Sequence, residues 1–285
     1  MRVREGDQAE IPRRVTGVSA AFARFRFPVW AEARFSWFLP AGNWKMRGTG
    51  AKIREWSRCL ILTGETMILF AADDHFNTSP GRNTYEEIAG DYPQMKFVEN
   101  DWSCFTACDL AKECDLLILN MIADTCGLPI PDGKAAGAVK KYCEAGRPML
   151  LLHGASSAFW PYDWFRESSG FRWVRGNDPD GFEASFHPHE PYKVVPAKCR
   201  HRLVKKLVPM DFPQDEIYTG LEQTRPFTIL MNTTISMGTF PQCTESFTRW
   251  GGRVVNFLPG HLPCVTRHPD FVRNVKTLID DLLED

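Results

Sequence analysis

The sequence predicts an α/β fold built on a mostly parallel sheet, and three observations carry that expectation. Residues 67–72, 115–120 and 149–152 are short, continuous apolar runs, the pattern of strands buried on both faces. Between the second and third lies a helix signature, with Pro131 and Asp132 at its start and Gly146 at its end. Together these make one complete βαβ unit, expected to be right-handed. Finally, strand ends repeatedly stop on a titratable residue, on the edge where open parallel sheets bind their ligands.

The first 66 residues stand apart. They carry a net charge of +6, against −7 for residues 67–285, and show no sustained helical or strand period. They read as a basic leader, either poorly ordered or lying upstream of a true start at Met67; a basic aromatic arm is the third reading. The fold is therefore expected over residues 67–285. Met67 to Ala72 is the first strand, ending at Asp73-Asp74-His75. After a Ser-Pro-Gly loop, Thr84 to Ile88 begins a short helix, and Lys96-Phe97-Val98 is an edge-like strand. Asp115 to Asn120 is the next strand. The following helix turns Val139, Tyr142 and Cys143 inward at i, i+3, i+4 spacing.

The central strand is Met149-Leu150-Leu151-Leu152, closed by His153 and the small turn Gly154-Ala155-Ser156-Ser157. The second half is less regular. Residues 171–174, 192–195, 227–231 and 253–257 read as strands and 202–207 as a short helix, with a hairpin turn at Thr248 to Arg253. A closing helix from Pro269 presents Phe271, Val272, Val275, Leu278, Ile279 and Leu282 as one apolar stripe.

Composition narrows the function classes. A chain of 285 residues with 44% hydrophobic and 24% charged residues is ordinary for a globular protein. A net charge of −1 gives no reason to expect a nucleic-acid or membrane partner. No apolar run approaches the about 20 residues of a membrane span, and Arg24, Arg26 and Arg34 interrupt any signal-peptide core. Nine cysteines without a CxxC pair read as free thiols of a reducing, cytoplasmic setting. Cys104, Cys108 and Cys114 match no zinc spacing and read as buried thiols.

The residues that could carry chemistry sit at strand ends. His75 follows the first strand, His153 the central one, and His261 the run Val254 to Gly260; a parallel sheet would bring all three to one edge. No G-x-S-x-G elbow is present, so Ser156 and Ser157 read first as turn and capping residues. His187-Pro188-His189 is an HxH pair in a proline-broken loop. Asp215-Glu216-Ile217-Tyr218 would place Glu216 and Tyr218 on one strand face, suited to sugar hydroxyls or to general base work.

The ordered set Leu151-Leu152-His153-Gly154, Phe171-Arg172-Trp173, Asp215 to Tyr218, Thr248 to Arg253 and Leu258-Pro259-Gly260-His261 with His268-Pro269-Asp270 resembles the ThuA-like (trehalose utilisation) family from Met67 onward. The resemblance implies a flavodoxin-like, class I glutamine amidotransferase-like three-layer sandwich. It also implies a role in carbohydrate breakdown, on a disaccharide or oxidised (keto) sugar. It does not imply glutaminase activity, because the nucleophilic elbow cysteine is absent. The resulting expectation is a sugar-processing enzyme in which His153 and His261 flank a cleft, Glu216 is the base or a hydrogen-bond acceptor and His75 stands at the rim. Tyr218, Asp74, Trp160 and Ser156 are expected to meet the substrate. If the histidines and Glu216 converge, a divalent metal such as zinc on His153, His261 and Glu216 becomes an option. A small carbohydrate is the expected partner, and homo-oligomers remain an option. The alternatives are a non-catalytic sugar-binding or regulatory protein, and a hydrolase using Ser156.

Overall fold

The computed structural model describes residues 66–125 and 127–284. The basic leader, 1–66, lies outside the described residues but for its last position. The first half alternates β1 (Ile68–Ala72), α1 (Pro80–Ile88), β2 (Met95–Glu99), α2 (Leu110–Glu113), β3 (Leu116–Asn120), α3 (Gly133–Glu144), β4 (Met149–Leu152) and α4 (Asp163–Ser169). The second half adds β5 (Phe171–Arg172), β6 (His189–Pro196), β7 (Met210–Glu216), β8 (Glu222–Gln223), β9 (Phe227–Ile235), β10 (Gly238–Phe247), β11 (Arg253–Phe257), α5 (Pro263–Thr266) and α6 (Pro269–Leu283).

Nine strands form one sheet in the order β2-β1-β3-β4-β11-β10-β9-β6-β7. The first five run parallel, with Val254↔Met149 to Phe257↔Leu152 in register; beyond β11 every pairing is antiparallel. β1, β3 and β4 are buried along their whole length, which is why their sequences are apolar without alternation up to Asn120 at the end of β3; β11, equally buried, carries Arg253 and Asn256. Their side chains feed two cores. Phe70, Ile118, Leu150 and Phe257 pack with Phe271, Val275 and Leu278 of α6, whereas Leu69, Leu119 and Leu151 pack with Val139 and Tyr142 of α3.

The helices form where their caps allow. Asp132 caps α3 by accepting from Lys134 N and Ala135 N, a bond worth about 1 kcal/mol. Gly146 supplies the left-handed residue that ends it, at φ 71°. α6 opens on Pro269, with the His268 side chain accepting from Asp270 N, and buries Phe271, Val275, Leu278, Ile279 and Leu282. Each such side chain contributes about 1.5–3 kcal/mol of transfer free energy, an upper bound set by the extended-chain reference.

Several expectations shift at their edges. The first helix begins at Pro80, because that proline occupies the first turn rather than a loop. The strand expected at 171–174 shrinks to two residues, which pair with β8 in a separate ribbon. The helix expected at 202–207 is a 3₁₀ turn over Leu203–Lys205. Among the described residues no helix is long and apolar enough to cross a membrane.

One buried ion network ties α6 to the sheet. Arg253 of β11 donates to Glu245 of β10 at 2.5 Å and to Asp281 of α6 at 2.8 Å. Asp281 also accepts from Arg202 at 3.0 Å and Lys206 at 3.2 Å. Burial works against its charge, but Arg253 and Lys206 outweigh it and hold the carboxyl below the usual range. Replacing Asp281 by Asn leaves the cations around it undercompensated. The expected cost is about 3 kcal/mol in urea unfolding, with the fold retained.

Candidate functional site

Three strands of the parallel half deliver imidazoles to one point. His75 follows β1, His153 follows β4, and His261 follows β11, and all three are buried. Their ring centroids stand 5.0, 5.4 and 5.3 Å apart, close to an equilateral triangle. His75, expected at the rim, is instead 2% exposed and part of the cluster. The chain bends sharply to bring it there: His75, Phe76 and Asn77 have φ of 43°, 56° and 64°, and His153 has φ 52°. Left-handed backbone in non-glycine residues costs on the order of 1 kcal/mol or more each.

Outer partners fix the rings. His75 Nδ1 lies 3.2 Å from Asp73 Oδ1, and the other oxygen of Asp73 accepts from Ile122 N at 2.7 Å. His153 Nδ1 lies 3.0 Å from the carbonyl of Leu258. A carboxylate and a carbonyl can only accept, so both rings donate from Nδ1 and keep Nε2 for the site. His261 is positioned through its backbone. The buried carboxylate of Asp215 accepts from Gly260 N at 2.8 Å, His261 N at 3.1 Å and Leu262 N at 3.0 Å, and Tyr192 OH reaches it at 3.4 Å.

Glu216, the next residue, faces the imidazoles. Its Oε2 lies 3.4 Å from His153 Nε2 and its Oε1 lies 3.8 Å from His261 Nε2. Oε1 also lies 3.5 Å from His187 Nδ1 and 3.8 Å from His189 Nε2, so the HxH pair flanks the same carboxylate. Burial would raise the Glu216 pKa, but the imidazoles, His153 first, bring it down to about 2. The reciprocal effect raises His153: burial disfavours its charge, and Glu216 overcomes that. Burial lowers His75, and burial with the His153 charge takes His261 down to about 4. His153 and Glu216 therefore favour each other's charged forms, an imidazolium Nε2–H facing a carboxylate.

Tyr218 OH stands 3.1 Å from His153 Nε2, and burial raises its pKa well above the ordinary phenol, so it stays protonated. Gly154 makes room for this approach: a Cβ there would meet Ile122 Cδ1 at 2.3 Å and the Tyr218 hydroxyl at 3.1 Å. The site opens into a cavity of about 440 Å³ whose wall includes His75, His261, Glu216 and Tyr218, with Phe76, Trp173 and Arg175 among its other lining residues.

The structure thus brings together His75, His153, His261, Glu216 and Tyr218. Three other expected contacts lie elsewhere. Asp74 is outside the cavity lining, its backbone N bonded to Asn100 Oδ1, and it is Asp73 that serves His75. Trp160 donates to the Ala123 carbonyl and lies 4.3 Å beneath the Arg175 guanidinium, also outside the lining. Ser156 is buried with no hydrogen-bond partner on its hydroxyl, and its neighbour Ser157 is the one on the cavity wall. Two groups of described residues could hold a metal ion: His75 with His153 and His261, and His187 with His189 and Glu216. Asp73, Asp215 and Trp173 are the participants that the sequence motifs contained but to which no role was assigned. Asp73 and Asp215 each adjoin a residue that was given one.

Two outcomes follow from this geometry. Replacing Asp215 by Asn turns one of two accepting oxygens into an NH2 donor set against the backbone amides, and should cost about 3 kcal/mol while releasing the Gly260–Leu262 turn to rapid amide hydrogen exchange. In chelator-treated protein, Glu216→Gln removes the charge that favours protonated His153. Burial then prevails, and the His153 imidazole should titrate at lower pH than in the parent, as read by imidazole NMR shifts. An unchanged His153 titration would disprove the pairing.

Comparison with known proteins agrees with this architecture. The family described as ThuA, trehalose utilisation, matches residues 70–277. A ThuA-like protein from Parabacteroides merdae superposes with a TM-score of 0.58 at 15% identity, covering 74% of this chain and 88% of that one. A ThuA-like protein from Bacteroides uniformis gives 0.53 at 14% identity, covering 76% and 91%. Comparison with curated protein sequences returns no match. At these identities the two structures show a shared fold alone; the family match, spanning most of the chain, shows more, and the protein belongs to the ThuA (trehalose utilisation) family.

Proposed function

We propose that the protein is a cytoplasmic carbohydrate-processing enzyme that performs acid/base chemistry on an oxidised (keto) disaccharide. The observation that carries this reading is the 3.4 Å approach of Glu216 to His153, two groups that favour each other's charged forms, beside a cavity of disaccharide scale. A carbonyl oxygen placed against the positive side is polarised, and the acidity of the neighbouring C–H rises. Glu216 is then the base that removes that proton. Held at about 2 it is a weak base in the resting site; as positive charge is drawn to the substrate oxygen, its basicity rises when the reaction needs it. Tyr218, protonated throughout, donates to or orients a hydroxyl. The rings of Phe76 and Trp173 offer apolar faces for a sugar, and the family description supports a carbohydrate substrate. The free thiols of the described cysteines suit a reducing compartment.

Incubating the purified protein with a panel of keto-disaccharides and their unoxidised parents, with products followed by NMR, tests the proposal. Turnover of a keto-sugar is expected, and Glu216→Gln should lower kcat about 10³-fold with KM changed only a few-fold. Saturable sugar binding without turnover would overturn the catalytic reading and leave a sugar receptor.

A further inference from the structure

We propose that His75, His153 and His261 form a three-histidine site for one divalent transition-metal ion of the zinc class. Each residue offers one ring nitrogen, and the three nitrogens lie within 4.8 Å of one another. Zinc–nitrogen bonds of about 2.0–2.1 Å place tetrahedral ligand atoms about 3.4 Å apart, so the triangle need contract by little more than an ångström.

Four features of the chain support an ion rather than a merely packed cluster. The ring triangle is close to equilateral, which packing alone does not require. Two of the three histidines sit in left-handed backbone, so the fold spends strain to aim them at one another. Asp73 and the Leu258 carbonyl take the Nδ1 protons of His75 and His153, the outer-ligand arrangement that orients metal-binding imidazoles and makes them more basic. The third ring, His261, has a buried Nδ1 with no hydrogen-bond partner.

The donor set also selects the ion. Three imidazoles and no carboxylate suit zinc, cobalt, nickel or copper and not magnesium or calcium. His75 and His261 line the cavity, which leaves the ion an open position toward it, as catalytic zinc sites keep. Glu216 stands beside that position. His187 and His189 border the same carboxylate, but their side chains are 40% and 42% exposed and their rings meet each other at 3.2 Å; they are not assigned as ligands of this ion. The ion would supply, on the His153 side, the positive charge that the resting site otherwise carries as a proton. The inference is independent of the sugar reading, because its probe is the metal alone.

The test is calorimetric titration of chelator-treated, full-length protein with Zn²⁺, alongside visible absorption with Co²⁺. One ion per chain is expected, with the intense visible bands of four-coordinate cobalt. His75→Ala, His153→Ala and His261→Ala should each weaken Zn²⁺ binding at least 100-fold. Asp73→Asn should weaken it about 10- to 100-fold, and His187→Ala should change it less than threefold. Should a ligand variant fail to fold, the parent alone decides: its Co²⁺ form should show hyperfine-shifted NMR signals from three imidazoles. No saturable binding, or binding lost in His187→Ala and retained in His75→Ala, would overturn the site. Metal binding without sugar turnover would overturn only the catalytic proposal.

Discussion

The carboxylate of Asp215 is the constraint on which the site depends. It is wholly buried and accepts from three consecutive amides and a tyrosine, which satisfies both of its oxygens. It belongs to β7, at one margin of the sheet, while the amides follow β11, four positions away in strand order. Flat strands so separated would lie about 19 Å apart. The sheet must therefore coil until its antiparallel end folds back over the carboxyl edge of its parallel end. That closure is what carries Glu216 and Tyr218 to the imidazoles.

The parallel half and the antiparallel half thus have different duties. The first is a rigid, doubly buried platform that delivers three histidines by the ordinary rule of strand-end placement. The second is a flap that brings a base and a phenol, while the aromatic wall comes from Phe76 after β1 and Trp173 after β5. Strain is concentrated where the platform ends, at His75 to Asn77 and at His153, and the cores on both faces of the sheet sustain it. Outer partners then convert placement into orientation, because a ring held only by packing can still flip its two nitrogens.

How much of this the sequence shows depends on the kind of signal. β1, β3 and β4 are apolar runs, β11 keeps Val254, Val255 and Phe257 between its polar residues, and α6 is a clean stripe, so the platform and its three terminal histidines can be read directly. Glu216 and Tyr218 were legible as a pair because they alternate around Ile217, which is fully buried. The flap is only partly legible: residues 192–195 and 227–231 read as strands and fall within β6 and β9, but β10 does not. β10 reads Gly-Thr-Phe-Pro-Gln-Cys-Thr-Glu-Ser-Phe, with a proline where its register with β9 shifts, and nothing in that composition announces a strand. Nor can a local pattern distinguish Asp73 from Asp74, or the cavity-facing Trp173 from Trp160. Neighbouring positions point opposite ways, and only the tertiary partner decides which one is used.

The wide spacing of the three histidines along the chain has a kinetic consequence. Positions 75, 153 and 261 meet only when contacts of very long sequence separation close, and such contacts form late and slowly. During synthesis the first two strand ends can be in place while the third is still unmade. The clustered imidazoles therefore come into being only as the last strand and its following helix join the sheet. A nascent chain that has not reached residue 261 thus lacks the third imidazole of the cluster.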